Sequence, residues 1–437
     1  MTDMLSIGAS GLRAYQSALS TTSNNIANAA TPGYVRRTTE MADVVGGNGV
    51  VVRGTQRVAD ALRAADVRTA SADLSRTEGG IVWMGRLESA LGTGQLATRI
   101  GSFFDSATRV AADPSAAAPR AVMLEQARSA AQAFTATGEA LVDIEADLDA
   151  TAKADVGTLN GLAAGLDRVN AGLRKAADGS DAQAKLLDQR DTILEQMSGL
   201  ADIGVTYDPS GSATVRLGST GGGPVLVDQA GAGTVAYARN DEGAVAFSVT
   251  RGGIAQAAPL SGGTLAGVAD GAQRVAAARA ELETLATDFA GSVNDLQAEG
   301  RDLSGNAGAP LFAVGDSPTD LSVALADGSG IAAALPGEGV RGNGTLTKLA
   351  QLRTTGDVEG KVTALAAGNG AALAARKTVA DAQTAIKEGA VTAREAVSGV
   401  NLDEEAVDLI RFQQAYQASS RVVQVAREIL QSILAIN

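Results

Sequence analysis

The sequence predicts a mainly α protein with a small β insertion: terminal coiled-coil helices, an elongated helical-bundle body and an antiparallel β outer domain. Three observations carry this reading. Apolar residues recur at strict sevens at both chain ends. The intervals around 56–200 and 265–399 run at helical spacing over lengths too great for a sphere, and only residues 201–262 switch to period two. The expected partition is a discontinuous terminal coiled-coil domain (1–35 and 400–437), a discontinuous helical body (36–200 and 265–399) and a β-rich outer domain (201–264).

Residues 3–29 read as one helix, with Leu5, Leu12, Leu19 and Ile26 as a narrow seam and small Gly8, Gly11, Ala14 and Ala18 beside it. Thr31-Pro32-Gly33 closes it, because proline removes a donor and biases its predecessor away from helix. Residues 34–55 read as a loop, through Gly46-Gly47-Asn48-Gly49, and one short strand at Val50-Val51-Val52.

Helical spacing returns from Gln56 to Val110, clearest in Leu96, Ile100, Phe103, Ala107 and Val110. After Asp113-Pro114 a long helix runs from Met123 to Leu173; fifty residues at about 1.5 Å each span roughly 75 Å, a rod rather than a buried element. A turn at Ala177-Asp178-Gly179-Ser180 precedes a helix over 182–199, packed antiparallel against it. Gly138, Gly157, Gly161 and Gly165 within the long helix either admit a close neighbour or weaken the rod.

Period-two runs at Ile203, Val205, Tyr207, at Val215, Leu217 and at Val245, Phe247, Val249 are strands. They are separated by Asp208-Pro209-Ser210-Gly211, Gly221-Gly222-Gly223-Pro224 and Asn240-Asp241-Glu242-Gly243. Helix resumes through Val275, Leu282, Leu285, Phe289 and Leu296; residues 300–356 read as glycine-rich and irregular, and a helix over about 371–397 leads to the last element.

That last helix has the sharpest pattern in the chain: Leu402, Leu409, Tyr416, Val423 and Leu430 at sevens, with Phe412, Ala426 and Ile433 alongside. Asn401 is its N-cap and Glu404 sits at N3 in a capping-box arrangement, while Asp403, Glu404 and Glu405 face the positive end of the helix dipole. Two ends with matching heptads should pair. A single narrow seam buries too little apolar surface to offset the ordering of a lone helix, so both termini are expected to fray in the monomer and to order on assembly.

Composition excludes much else. The chain has 36 Lys+Arg against 49 Asp+Glu, a net charge of −13, with no basic block, which argues against nucleic acid as a partner. No Cys and no His are present, removing disulfides, thiol nucleophiles, imidazole-assisted triads and Cys or His zinc sites. Aromatics are 3% and Pro residues number nine, favouring long, closely packed helices over a deep enzyme pocket. No charge-free stretch of about 18 residues offers a membrane span, and the start MTDMLSIGAS lacks a basic n-region and a solid apolar h-region, so no cleaved signal is expected. Catalytic, cofactor-binding and metal sites are all expected to be none. Asp403-Glu404-Glu405 reads as dipole complementation rather than a metal or acid–base site, since adjacent helix residues point in different directions. Gly218–Gly223 lacks the Gly-Lys-Ser/Thr ending of a phosphate loop, and Asn343-Gly344-Thr345 reads as a turn.

The N-terminal motifs Ser10-Gly11-Leu12, Ser23-Asn24-Asn25-Ile26-Ala27-Asn28, Thr31-Pro32-Gly33-Tyr34 and Arg37-Thr38 resemble the signature of the bacterial flagellar axial family of rod, hook and hook-associated proteins, with Asn24, Asn25, Asn28, Pro32, Gly33 and Tyr34 as the family positions. Gly399-Val400-Asn401-Leu402-Asp403-Glu404-Glu405 and Arg411-Phe412-Gln413-Gln414-Ala415-Tyr416-Gln417-Ala418 resemble the hook-associated, hook-filament junction branch in particular. Leu186-Leu187-Asp188-Gln189-Arg190-Asp191, the Gly300–Phe312 segment, and Gly49-Val50 with Arg57 and Asp60 are similar to it as well. The resemblance implies a non-enzymatic structural subunit, exported unfolded by the flagellar type III apparatus and self-associated as a ring or short helical tube between hook protein and a second junction protein or filament. It implies an extracellular location and an export chaperone masking the C-terminal seam, Leu402 to Ile433, before assembly. Neither nucleic acid nor membrane is an implied partner. A hook or rod protein is the sibling reading; a secreted coiled-coil adhesin and a carboxylate-dependent hydrolase, which would need two carboxyls across a cleft, are more distant ones.

Overall fold

The computed structural model describes residues 2–44, 48–218, 222–240 and 242–434, without the side chains of Thr2, Thr93, Ile433 and Leu434. The chain opens with helix α1 (Thr2–Asn28), followed by strands β1 (Arg37–Asp43) and β2 (Val50–Arg57), which pair antiparallel with a register shift at Glu40/Met41. Only the second strand was legible in the sequence: Arg37–Asp43 reads RTTEMAD, with no apolar alternation, and the shift breaks what periodicity it has. Gly46 and Gly47 of the expected loop lie outside the described residues.

Helix α2 (Ala61–Thr93) begins at Asp60, whose carboxylate accepts from the amides of Leu62 and Arg63. Gln95, at φ 47°, separates it from α3 (Leu96–Ala112). Helix α4 (Ala117–Leu173) has 57 residues and so spans about 85 Å. Helix α5 (Asp181–Leu200) is capped by Ser180 and returns along it. The glycines of α4 divide in role. A side chain at Gly138 would overlap Thr319, so that glycine admits a neighbour, whereas Gly157 and Gly161 face open space.

Among the described residues the insertion contains seven strands, more than its three period-two runs show. β3 (Ile203–Tyr207), β4 (Ala213–Leu217), β5 (Val225–Asp228) and β6 (Gly231–Ala232) form one antiparallel sheet in that order; β7 (Thr234–Arg239), β8 (Val245–Arg251) and β9 (Ile254–Ala257) form another. Of the expected turns, Gly221 and Asp241 lie outside the described residues. Both sheets bury Val215, Leu226, Val235 and Phe247 against Leu159, Ala163 and Leu166 at the far end of α4.

Helix α6 (Gly263–Glu299) starts 12 residues before the first apolar position of its sequence pattern, Val275. The irregular stretch after it holds the hairpin β10 (Phe312–Val314) with β11 (Leu321–Val323), and then helix α7 (Gly344–Gly356). Expecting no helix there was wrong: GTLTKLAQLRTTG has a poor intrinsic propensity, but burial of Leu346 and Leu349 in the core decides the outcome. Helix α8 (Val358–Ser398) likewise begins well before 371, because Gly360, Gly368 and Gly370 hide the pattern that buried Val358 and Val362 complete.

The main core lies along the first two-thirds of α4, where five of the seven phenylalanines cluster: Phe103, Phe104, Phe134, Phe289 and Phe312, with centroids 5.2–6.1 Å apart. Fully buried Arg120 fastens the irregular segment to this core by donating to the carbonyls of Pro114, Gly328 and Ile331. Helix α9 (Leu402–Leu434) closes the chain and lies along α1.

Candidate functional site at the paired chain ends

α1 and α9 pair antiparallel: the Gly8 end of α1 lies at Val423, and the Asn25 end lies at Glu405. The face that α1 turns to its partner is not the leucine stripe. Its buried residues are Gly8, Gly11, Ala14 and Ala18, followed by Thr21, Thr22 and Asn25; of these Gly8, Gly11 and Asn25 meet α9, while Thr21 bonds Thr39 of β1. A Cβ at Gly8 would stand 2.6 Å from Val423 Cγ2, and one at Gly11 would stand 2.9 Å from Ser419 Oγ. Leu5, Leu12 and Leu19 are therefore displaced to the flank, half-buried, and Ile26 is exposed. Small residues win the contact because they let two backbones approach closely, which a leucine cannot.

The C-terminal seam is corrected in the same way. Glu405, Phe412, Ser419 and Ala426, at sevens, face α1, together with half-buried Leu409 and Val423. Leu402, Tyr416 and Leu430 of the expected stripe are exposed, at 54%, 38% and 38%. Ile433 lies in α9, but its side chain is outside the described residues. Elsewhere on α9 further apolar residues face solvent: Val407 and Ile410 on the far side of its first turns, and Val422, Val425 and Ile429 in its later turns.

The base of the pair is a polar knot that sequence reasoning missed. Asn25, 1% exposed, donates from Nδ2 to the Arg37 carbonyl (2.8 Å) and to Glu405 Oε2 (3.0 Å); its Oδ1 accepts from the Tyr34 hydroxyl (2.9 Å) and the Arg37 amide (3.1 Å). All four of its hydrogen-bonding positions are thereby used. Glu405, also 1% exposed, receives Arg36 Nε at 2.7 Å, and this hydrogen bond raises the Arg36 pKa. Burial raises the Tyr34 pKa, which keeps the phenol protonated as a donor. The other family positions play lesser parts. Asn28 bonds the Asn24 carbonyl and accepts from Thr31, Pro32 and Gly33 shape an exposed loop, and the Asn24 side chain faces solvent. Gly33 is required at φ 78°, where a Cβ would also strike Thr192.

From the knot, charge pairs continue into the body. Arg37 reaches Asp188 at 2.6 Å and Arg57 reaches Asp188 at 2.9 Å and Asp191 at 2.8 Å. Arg190 bonds Asp191 and lies 4.2 Å over the Tyr207 ring in the β insertion. Burial pushes the Asp188 carboxyl above its ordinary value, and the Arg57 and Arg37 guanidiniums only partly offset this. The signal in the sequence was the segment Leu186–Asp191, noted as a motif without a role.

Asn401 caps α9 as expected, accepting from the Asp403 amide at 3.0 Å. The capping-box return from Glu404 is not made; that carboxylate lies 3.9 Å from Arg36 instead. Nor is Glu405 simply a dipole charge, since it is the buried half of the knot. Among the described residues no group of three or more His, Cys, Asp or Glu is placed to hold a metal, and no helix is long and apolar enough to cross a membrane.

Chain ends that pair with each other and leave apolar residues exposed suit a subunit that assembles through its termini. In agreement, residues 5–34 match the flagella basal body rod protein family and residues 394–436 the flagellar basal body rod FlgEFG protein C-terminal family. The body specifies the branch: residues 84–312 match the flagellar hook-associated protein FlgK helical domain, and the chain belongs to that family. It is 26% identical to flagellar hook-associated protein 1 of Bacillus subtilis over 97% of this chain and 96% of that protein. It is 27% identical to the Escherichia coli protein of the same name, over 72% of this chain and 60% of that one. The flagellar hook junction protein FlgK of Burkholderia pseudomallei shares the fold, with a TM-score of 0.68 at 17% identity, covering 76% of this chain and all of that one.

Proposed function

We propose that this chain is a non-catalytic structural subunit of the flagellum that joins hook to filament and builds a ring or short tube with copies of itself through its terminal helices. The observation that carries this reading is the α1–α9 pair: small residues consume its inner face, so Leu5, Leu12 and Leu19 on one helix and exposed Val407, Ile410, Val422, Val425 and Ile429 on the other remain for neighbours. A rod bearing such residues on its outside gains burial only in company. Hook protein would lie on one side and a second junction protein or filament on the other.

The partition into terminal pair, helical body and β-rich outer part fits this role, placing the β insertion at the far end of α4. Export through the flagellar type III apparatus and an extracellular location go with it, as does a chaperone that covers Leu402–Ile433 beforehand. The knot at Asn25 and Glu405 anchors the base of the pair, while the parts beyond it, residues 5–19 and 416–433, order fully only on assembly. Amide exchange of the soluble chain tests that point, and strong protection there would refute it. The central test is deletion of residues 402–437: hooks should remain without filaments, and normal filaments would overturn the assignment.

A further inference from the structure

Helix α8 has three sides. Asn369, Leu373 and Arg376 turn inward, bonding the Met84 carbonyl, entering the core and pairing with Asp270, respectively. At 100° per residue, exposed Lys377, Asp381, Glu388 and Glu395 fall together on one flank. The other flank carries Ala375, Val379, Ala382, Ile386 and Gly389 at alternating steps of four and three, all exposed, with Val379 at 48% and Ile386 at 61%. Thr378, Ala385 and Thr392 border them.

This flank is apolar in chemistry as well as composition. The Thr378 and Thr392 hydroxyls donate to the carbonyls of Ala374 and Glu388 on their own helix, leaving methyl groups to face outward. The result is a strip of α8 from Ala375 to Val397, about 33 Å long, that carries no charged side chain of its own and in which β-branched residues alternate with Ala and Gly; at its start Ala375 and Val379 share a surface cleft with Arg76, Asp270 and Arg274, so the part clear of charge begins at Ala382.

We propose that this strip is a lateral contact for a helix of a second copy of this chain, the body-level counterpart of the terminal contacts. The proposal rests on the assembly role above. Charge selects the occupant: copies that each carry −13 repel, so they approach most cheaply where neither presents a charge, whereas a basic partner would choose the acidic surface. Continuity agrees, because only Gly399–Asn401 separates α8 from α9, whose exposed apolar residues the proposed assembly turns to neighbours. The length of the strip also calls for a rod-like partner, and the long helices of a second copy supply one.

The chain has no cysteine, so single thiols report cleanly. Full-length Ile386→Cys on the strip, Asp381→Cys on the charged flank and Val422→Cys on the outer face of α9 are each expressed in flagellated cells and treated with a short bis-maleimide. The proposal expects Ile386→Cys to give chain–chain dimers several-fold above Asp381→Cys, in assembled flagella and not in the free chain. A yield no higher than that of Asp381→Cys, with Val422→Cys still dimerising, overturns the α8 contact and leaves the terminal assembly standing. An adduct of Ile386→Cys with a different protein overturns the choice of a second copy. Failure of both Ile386→Cys and Val422→Cys overturns the proposal together with the assembly role beneath it.

Discussion

Asn25 Nδ2 lies 3.0 Å from Glu405 Oε2, a bond between residues 380 positions apart that ties the first helix to the last. Both side chains are 1% exposed, so neither has water as a substitute partner.

Asn25→Ala should therefore leave the Glu405 carboxylate with Arg36 alone. The expected cost is about 1–3 kcal/mol, from a buried acceptor losing its donor. Asn25→Asp should cost more, since a second carboxylate would face the first. Amide exchange of the first two turns of α9 measures this; unchanged exchange in both variants would show that the knot does not hold the helix.

Gly8→Leu adds a side chain where even a Cβ stands 2.6 Å from Val423. Overpacking of about 1–3 kcal/mol should separate the helices. The variant chain should be secreted with an intact body yet leave hooks bare. Normal filament numbers would refute the close approach.

Gly267→Ala meets backbone rather than a yielding side chain: its Cβ would lie 2.7 Å from the Arg76 carbonyl oxygen and 3.1 Å from Gly79 Cα. The gain of about 1 kcal/mol in helix propensity is outweighed, and the urea midpoint should fall. Gly291→Ala, in the same helix with nothing within 4 Å, should raise it. Equal shifts in the two variants would refute a tight α2–α6 crossing.

Asp270 joins three helices, accepting from Arg76 of α2 at 3.1 Å and from Arg376 of α8 at 2.5 Å. Burial would raise its pKa, but the two guanidiniums together hold it below the ordinary carboxylate value. A depressed folded pKa stabilises the fold above the unfolded value, about pH 3.9, and that contribution disappears as pH falls through the folded value. Partial exposure of the arginines limits it to about 1 kcal/mol. Asp270→Asn should lower the neutral-pH melting temperature and flatten the decline below about pH 4; an unchanged acid profile would refute the assignment.

Leu402, Leu409 and Phe412 announced a heptad helix, and Asn401 its start, because a period of seven and a cap are local properties. Which side of that helix faces α1 was not local. Gly8, Gly11 and Ser419 carry little hydrophobic signal, yet their small size sets the contact, and the larger residues turn outward as a consequence. The knot stayed hidden for a related reason: Asn25, Arg36, Asp188 and Glu405 are ordinary polar residues until the fold removes water from around them.

Taken alone, the amino-acid order determined the helical class, the β insertion, the capped C-terminal helix, the absence of thiol and imidazole chemistry and the motifs of a flagellar axial chain, all of them consequences of spacing or composition within a few turns. Tertiary structure decided the rest. It made α7 a helix through the burial of Leu346 and Leu349, chose the small-residue faces for the terminal pair, and turned Asn25 and Glu405 into a buried bond. Those outcomes depend on how closely distant backbones approach and on which polar groups lose water, and neither quantity exists until the chain has folded.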